Sequence, residues 1–131
     1  MIWNRKHFAE HGFGLFAVEL GDNREFIGFV GIVHVQFEAH FTPVVEIGWR
    51  LASKHHNKGY ATEAAQEVLR FAFEELHLKE VVSLTVPDNE SSQNVMKKIG
   101  MIRDENGDFF HPKLPRDHKF SLHVLYRKLA P

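Results

Sequence analysis

The chain has 131 residues, 44% of them hydrophobic, which fits one domain with a buried core and argues against disorder. With 16 basic and 17 acidic residues the formal net charge is −1, and no dense basic run occurs, so an electrostatic case for nucleic acid or a membrane surface is missing. The absence of cysteine excludes disulfides, a cysteine nucleophile and a thiolate metal site. The N-terminal MIWNRKHFAEHGFGLF lacks an apolar segment with a cleavage signature, and no apolar run reaches transmembrane length. A cytoplasmic protein with a small-molecule or peptide partner is the expectation.

In chain order, Trp3 to Glu10 reads as a short helix or the tail of one. GLFAVEL (residues 14–20) and EFIGFVGIVHV (25–35) are rich in β-branched and aromatic residues, and the GDNR between them is turn chemistry, so they predict a hairpin. PVVEIGWRL (43–51) predicts a third strand. From residue 59 to 78 the period changes. Ala61, Ala64, Ala65, Val68, Leu69, Ala72, Phe73 and Leu76 recur at helical spacing, which predicts the main helix. EVVSLTV (80–86) is nearly continuous in apolar residues, as expected of a strand buried on both faces beside a parallel neighbour. NESSQNVMKKIG (89–100) begins with cap residues and ends on glycine, the pattern of a short helix, and HKFSLHVLYRKL (118–129) alternates as a last strand. Hairpin, strand, helix, strand, helix, strand is an α/β or α+β layer arrangement with at least one βαβ crossover.

HHNKGYATEAA (55–65) joins the third strand to the main helix of that crossover. The first turn of a helix has amides without intrahelical partners, and its dipole adds positive potential, so the junction suits an anion. Gly59 allows close backbone approach, Ala61 keeps the next position small, and Lys58 adds a cation. An ordinary loop glycine beside a solvated lysine fits the same residues. Neither GxxxxGK[ST] nor GxGxxG is present.

HNKGYA, residues 56–61, resembles the acetyl-CoA pyrophosphate loop of the GNAT superfamily of N-acetyltransferases, Q/R-x-x-G-x-G/A, with His56 where Arg or Gln is usual. The resemblance continues in register through EIGWRL before the loop and GYATEAA after it, which are similar to the RimJ/RimL-like branch of ribosomal-protein N-terminal acetyltransferases. NESSQNVMKKIGM and the tail FFHPKLPRDHKFSLHVLYRKL extend it to the end of the chain. It implies a GNAT-like acyl-CoA N-acyltransferase fold: a mostly antiparallel mixed sheet with a central, splayed parallel pair, flanked by helices. It also implies transfer of an acetyl group from acetyl-CoA to a primary amine, either a protein N-terminal α-amine or a small-molecule amine.

Carried onto this sequence, the resemblance makes Trp49, Arg50 and Leu51 the splayed segment whose backbone bonds the pantetheine arm. His56, Asn57, Lys58, Gly59, Tyr60, Ala61 and Thr62 become the pyrophosphate cradle. Glu46 matches the position of the general base, and strand alternation sets it with Gly48 and Arg50 on one face, opposite Ile47 and Trp49. Pairing with a nearby Arg or His for purely structural reasons is the alternative for Glu46. The family's tyrosine acid falls on Met96, which leaves Ser92 as second-choice acid and Asn89 and Ser92 as partners of the pantetheine amides, with helix capping as their other role. His111 and His118 are considered as groups shaping the acceptor cleft or as solvated loop histidines, and Tyr126 as lining that cleft or the core. The ten histidines form no ligand signature, so no metal is expected.

One departure from the family matters. GNAT domains open with a strand and one or two helices that roof the acceptor site, whereas this chain starts at what looks like the end of the second helix. Residues 14–20 would then form an apolar edge that a homodimer could cover. A non-catalytic acetyl-CoA-binding or assembly module is therefore the rival expectation, and the identity of the amine stays open.

Overall fold

Residues 13–21, 25–52, 54, 56 and 58–131 are described by the computed structural model of the chain; the helix expected over Trp3 to Glu10, most of the GDNR turn and Asn57 lie outside them. Runs rich in β-branched and aromatic residues form Leu15–Glu19 (β1) and Phe26–His34 (β2), which pair antiparallel as the expected hairpin. Val45–Leu51 (β3) pairs antiparallel with β2 in an unbroken register from Gly28↔Leu51 to His34↔Val45.

The helix expected over residues 59–78 is α-helical through Tyr60–Arg70 (α1) and passes into a π-helical turn over Phe71–Glu75, where the Leu76 N–H donates to the Phe71 carbonyl at 3.1 Å. Ala65, Val68, Leu69 and Ala72 recur at i, i+3, i+4 and i+7, and all four are buried against the sheet. Val68 and Leu69 are each worth about 1.5–3 kcal/mol of burial. Glu80–Thr85 (β4) follows, then Glu90–Lys98 (α2). The predicted glycine end of α2 is present: Gly100 has φ 88°, and the Met101 N–H reaches back to the Met96 carbonyl at 2.9 Å. Ile102–Arg103 (β5) and Phe109–Phe110 (β6) are two residues each, too short to show a period-2 pattern, and Leu122–Leu129 (β7) closes the sheet.

The strand order is β1-β2-β3-β4-β7-β5, with β6 also on β7; β3 and β4 are parallel and the other pairs antiparallel. The expected central parallel pair is therefore present, crossed over by α1. Both helices cover one face, where Val30, Ile32, Ile47, Val81 and Tyr126 meet Ala65, Leu69, Met96 and Ile99. The other face carries a smaller core of Phe41, Val82, Phe109 and Leu125, built with the loop after β2 and the tail before β7.

Candidate active site

The parallel pair separates almost as soon as it forms. Its registered partners are Val45↔Val81 and Glu46↔Val82, yet β3 runs on to Leu51 and β4 to Thr85. Which groups line the opening follows from backbone parity. The Ala52 N–H donates to Ile27 at 2.8 Å and the Val44 carbonyl accepts from Val35 at 3.0 Å, so even-numbered residues of β3 turn their main chain toward β2 and odd-numbered ones toward β4. On β4, the Lys79 carbonyl accepts from Ala130 at 2.9 Å, which turns odd-numbered residues toward β7 and even-numbered ones toward β3. The opening is thus lined by the main chain of Trp49 and Leu51 on one side and of Leu84 on the other.

Of the three residues expected to offer backbone groups there, Trp49 faces the opening, Arg50 turns its main chain to β2, and the Leu51 carbonyl accepts from His56 Nε2–H at 2.8 Å. The His56 ring thereby ties the loop to the end of β3. Gly59 caps α1 in the left-handed region, at φ 81° and ψ 0°, and its carbonyl accepts from the Glu63 N–H at 3.0 Å. Only glycine takes this conformation without strain, and it leaves the first amides of α1 uncovered.

These amides open into a cavity of about 210 Å³. Leu51, His56, Gly59, Tyr60, Ala61 and Thr62 form one wall; Lys58 stands exposed beside it. The second wall is Ser91, Asn94, Val95 and Lys98 of α2. Pattern reading missed this wall, although the i, i+3, i+4, i+7 spacing of its four residues was available as a signal. Asn89 and Ser92 do not line it. The Asn89 side chain caps α2 by accepting from the Ser92 N–H at 3.1 Å, so the cap is Asn89, and the Ser92 hydroxyl is not used in it.

The opposite face of β3 holds Glu46. Glu46, Gly48 and Arg50 lie with Leu15, Phe29, Gly31 and Val33 around a cavity of about 250 Å³, whose lining Trp49 also reaches; Ile47 is buried in the core under the helices, and Trp49 packs against that core. Glu46 is half-buried, and among the described residues its carboxylate has no hydrogen-bond or ion-pair partner. Burial alone lifts its pKa above the ordinary 4.5. Among the described residues no Arg or His pairs with it, the alternative considered for this residue.

Further along the same face, His111 packs at 4.6 Å from Phe37 and 5.2 Å from His123 (ring centroids). Burial, with smaller contributions from His123 and Lys113, holds its pKa below the ordinary value. The Nδ1 atoms of His111 and His118 accept from the N–H groups of Lys113 (3.2 Å) and Phe120 (3.0 Å), closing the turns of the tail. Tyr126 belongs to the core on the helix side: it is 2% exposed, and its hydroxyl donates to Gln93 Oε1 at 2.9 Å. Among the described residues no cluster of three His, Asp or Glu is arranged to hold a metal, and no helix is long and apolar enough to cross a membrane.

Comparison with known proteins agrees with this architecture. An uncharacterized N-acetyltransferase of Bacillus subtilis, YnaD, is 38% identical over 106 residues, 80% of this chain and 58% of its own length. An acetyltransferase from Agrobacterium tumefaciens superposes with a TM-score of 0.73 at 34% identity, over 93% of this chain and 64% of that one. The ribosomal-protein-S5-alanine acetyltransferase of Vibrio fischeri shares the fold, with a TM-score of 0.75 at 20% identity over 96% of this chain and 67% of that one. The chain thus spans somewhat under two thirds of the first two proteins. The acetyltransferase (GNAT) domain family matches residues 2–102. With the splayed parallel pair and the uncovered helix N-terminus in place, the chain belongs to the GNAT acetyltransferase family.

Proposed function

We propose that the protein transfers the acetyl group of acetyl-CoA to a primary amine by direct attack, with Glu46 as general base. The observation that carries this reading is the parting of β3 from β4, which has a helix N-terminus and its cavity at one end and, on the opposite face, a carboxylate without a partner among the described residues. In this reading the pyrophosphate lies on the amides of residues 58–62, with Lys58 and Lys98 supplying positive charge. The pantetheine arm runs along Trp49 in the opening, bonded as an added strand would be. Asn89 and Ser92, at the start of α2, serve the arm's amides, and Ser92 protonates the departing thiolate. The Trp49 N–H, facing the opening, supports the oxyanion of the tetrahedral intermediate.

The amine enters on the Glu46 face. A protein N-terminal α-amine, with a pKa near 8, loses its proton more readily than a lysine near 10.4, so it makes fewer demands on the base. The RimJ/RimL-like motifs favour that acceptor class; the Vibrio fischeri protein is named for an alanine of a ribosomal protein. Gly48 stands two residues from Glu46 in the same cavity, and a Cβ placed on it would meet nothing within 4 Å. Gly48→Val should therefore leave folding intact and raise KM for the amine about tenfold or more with acetyl-CoA affinity unchanged. A variant that instead loses acetyl-CoA affinity would put the acceptor elsewhere.

Thermal shifts with acetyl-CoA and CoA, followed by free-thiol release against N-terminal peptides and small amines, test the whole reading. A shift with turnover supports it. A shift without turnover on any amine leaves an acetyl-CoA-binding module, and no shift overturns both.

A further inference from the structure

Where two buried strands part, the carbonyls and amides along the opening lose their partners, and each group left dry costs about as much as a lost hydrogen bond. The registered pair Glu46↔Val82 uses the Ile47 N–H as the last rung of the β3–β4 ladder. By parity, the next rung would join the Ile47 carbonyl to the Leu84 N–H. That rung is missing, since Ile47 and Ser83 are not a registered pair. In its place the Ser83 hydroxyl donates to the Ile47 carbonyl at 2.9 Å, and Ser83 is 2% exposed.

We propose that Ser83 is the positioning residue that sets where β3 and β4 part, and so keeps the Leu84 amide free for the pantetheine arm; this rests on the acyl-CoA reading above. A side-chain donor reaches further from its own backbone than an amide does. It satisfies the buried carbonyl while the strands stand wider apart than a ladder allows. A small apolar residue would occupy the same space and leave that carbonyl dry. The nearest remaining donor is the Leu84 N–H, and making that bond closes the opening by one rung.

The far side of the pin is also polar. Ser83 lies opposite Tyr126 on β7, the Tyr126 hydroxyl bonds Gln93, and Gln93 Nε2 donates to the Pro87 carbonyl at 2.7 Å. Tyr126 and Gln93 thus connect the strand beside the parting point to the loop that opens α2.

Ser83→Thr and Ser83→Val test the pin, because they share a shape and differ by the hydroxyl; Ser83→Ala guards against overpacking by the added methyl. In ligand-free protein, amide hydrogen exchange at Leu84 should match wild type in the Thr variant and slow about tenfold or more in Val and Ala as the extra rung forms. Acetyl-CoA affinity by calorimetry should fall about five- to tenfold in Val and Ala and be retained in Thr. The loss should appear in KM for acetyl-CoA more than in kcat. Equal Leu84 exchange in Thr and Val, or equal affinity in wild type and Ala, overturns the proposal. Wild-type protein that binds no acetyl-CoA overturns the acyl-CoA reading instead, and the exchange contrast then decides the pin alone.

Discussion

Glu46→Gln is expected to lower kcat by about 10²-fold or more and to leave acetyl-CoA affinity within about twofold, while raising Tm at pH 8. Both effects come from one observation. Among the described residues the half-buried carboxylate has no partner, and burial lifts its pKa above the ordinary 4.5. In the unfolded chain the group ionises at its ordinary value, so the folded state holds its proton more tightly. The stability this gives is complete below about pH 4.5 and is lost as pH rises through the higher folded value. Above that folded value the native protein carries a partly buried charge that an amide of the same shape does not impose. The Tm advantage of Glu46→Gln should therefore vanish in acid.

Catalysis runs in the opposite sense, because only the ionised carboxylate can take a proton. In the wild type kcat/KM should rise with pH across the same titration, and in the variant this limb should disappear. Unchanged turnover removes Glu46 from the mechanism, and a lower Tm at pH 8 means that the carboxylate has a stabilising partner after all.

Ala61→Glu should separate binding from stability in a second way. Ala61 is the second residue of α1 and lines the cavity at its N-terminus. A carboxylate there favours the helix dipole by about 0.3–1 kcal/mol, so Tm should hold or rise slightly. The same charge set within about 5 Å of a pyrophosphate costs about 3 kcal/mol at an effective dielectric near 20, which lowers acetyl-CoA affinity by about 10²-fold. Ala61→Gln, equal in size and uncharged, should lose much less. Calorimetry on the three proteins decides it, and equal affinity of the Glu and Gln variants would show that no phosphate lies at this helix end.

Most of the architecture is readable from residue pattern, for reasons the structure makes plain. The β-branched and aromatic content of EFIGFVGIVHV and the helical spacing from Ala61 to Ala72 both reflect burial, and burial is what pattern reports. The place of Glu46 opposite Ile47 and Trp49 follows from strand geometry alone, because no bulge interrupts the β2–β3 register. Other features depend on contacts between distant residues. In EVVSLTV, Ser83 reads as a minor break in an apolar run; its role needs a carbonyl 36 positions away. Likewise Lys98 and Asn94 join the cavity only because α2 lies beside the start of α1. β5 and β6 exist because β7 offers them an edge, and two residues carry no period of their own.

The two cavities beside β3 lie on opposite faces of the sheet, one bounded by both helices and the other by Glu46 and the β2 side chains. A single strand is the partition between them. Neither occupant has to cross the other's chamber to arrive or leave, so compounds filling the two sides should bind additively. Against such a bilateral arrangement, a CoA analogue would raise the apparent KM for acetyl-CoA and lower Vmax for the amine. A linked molecule threaded past Trp49 would gain from both chambers at once, with an effective concentration set by the length of its tether.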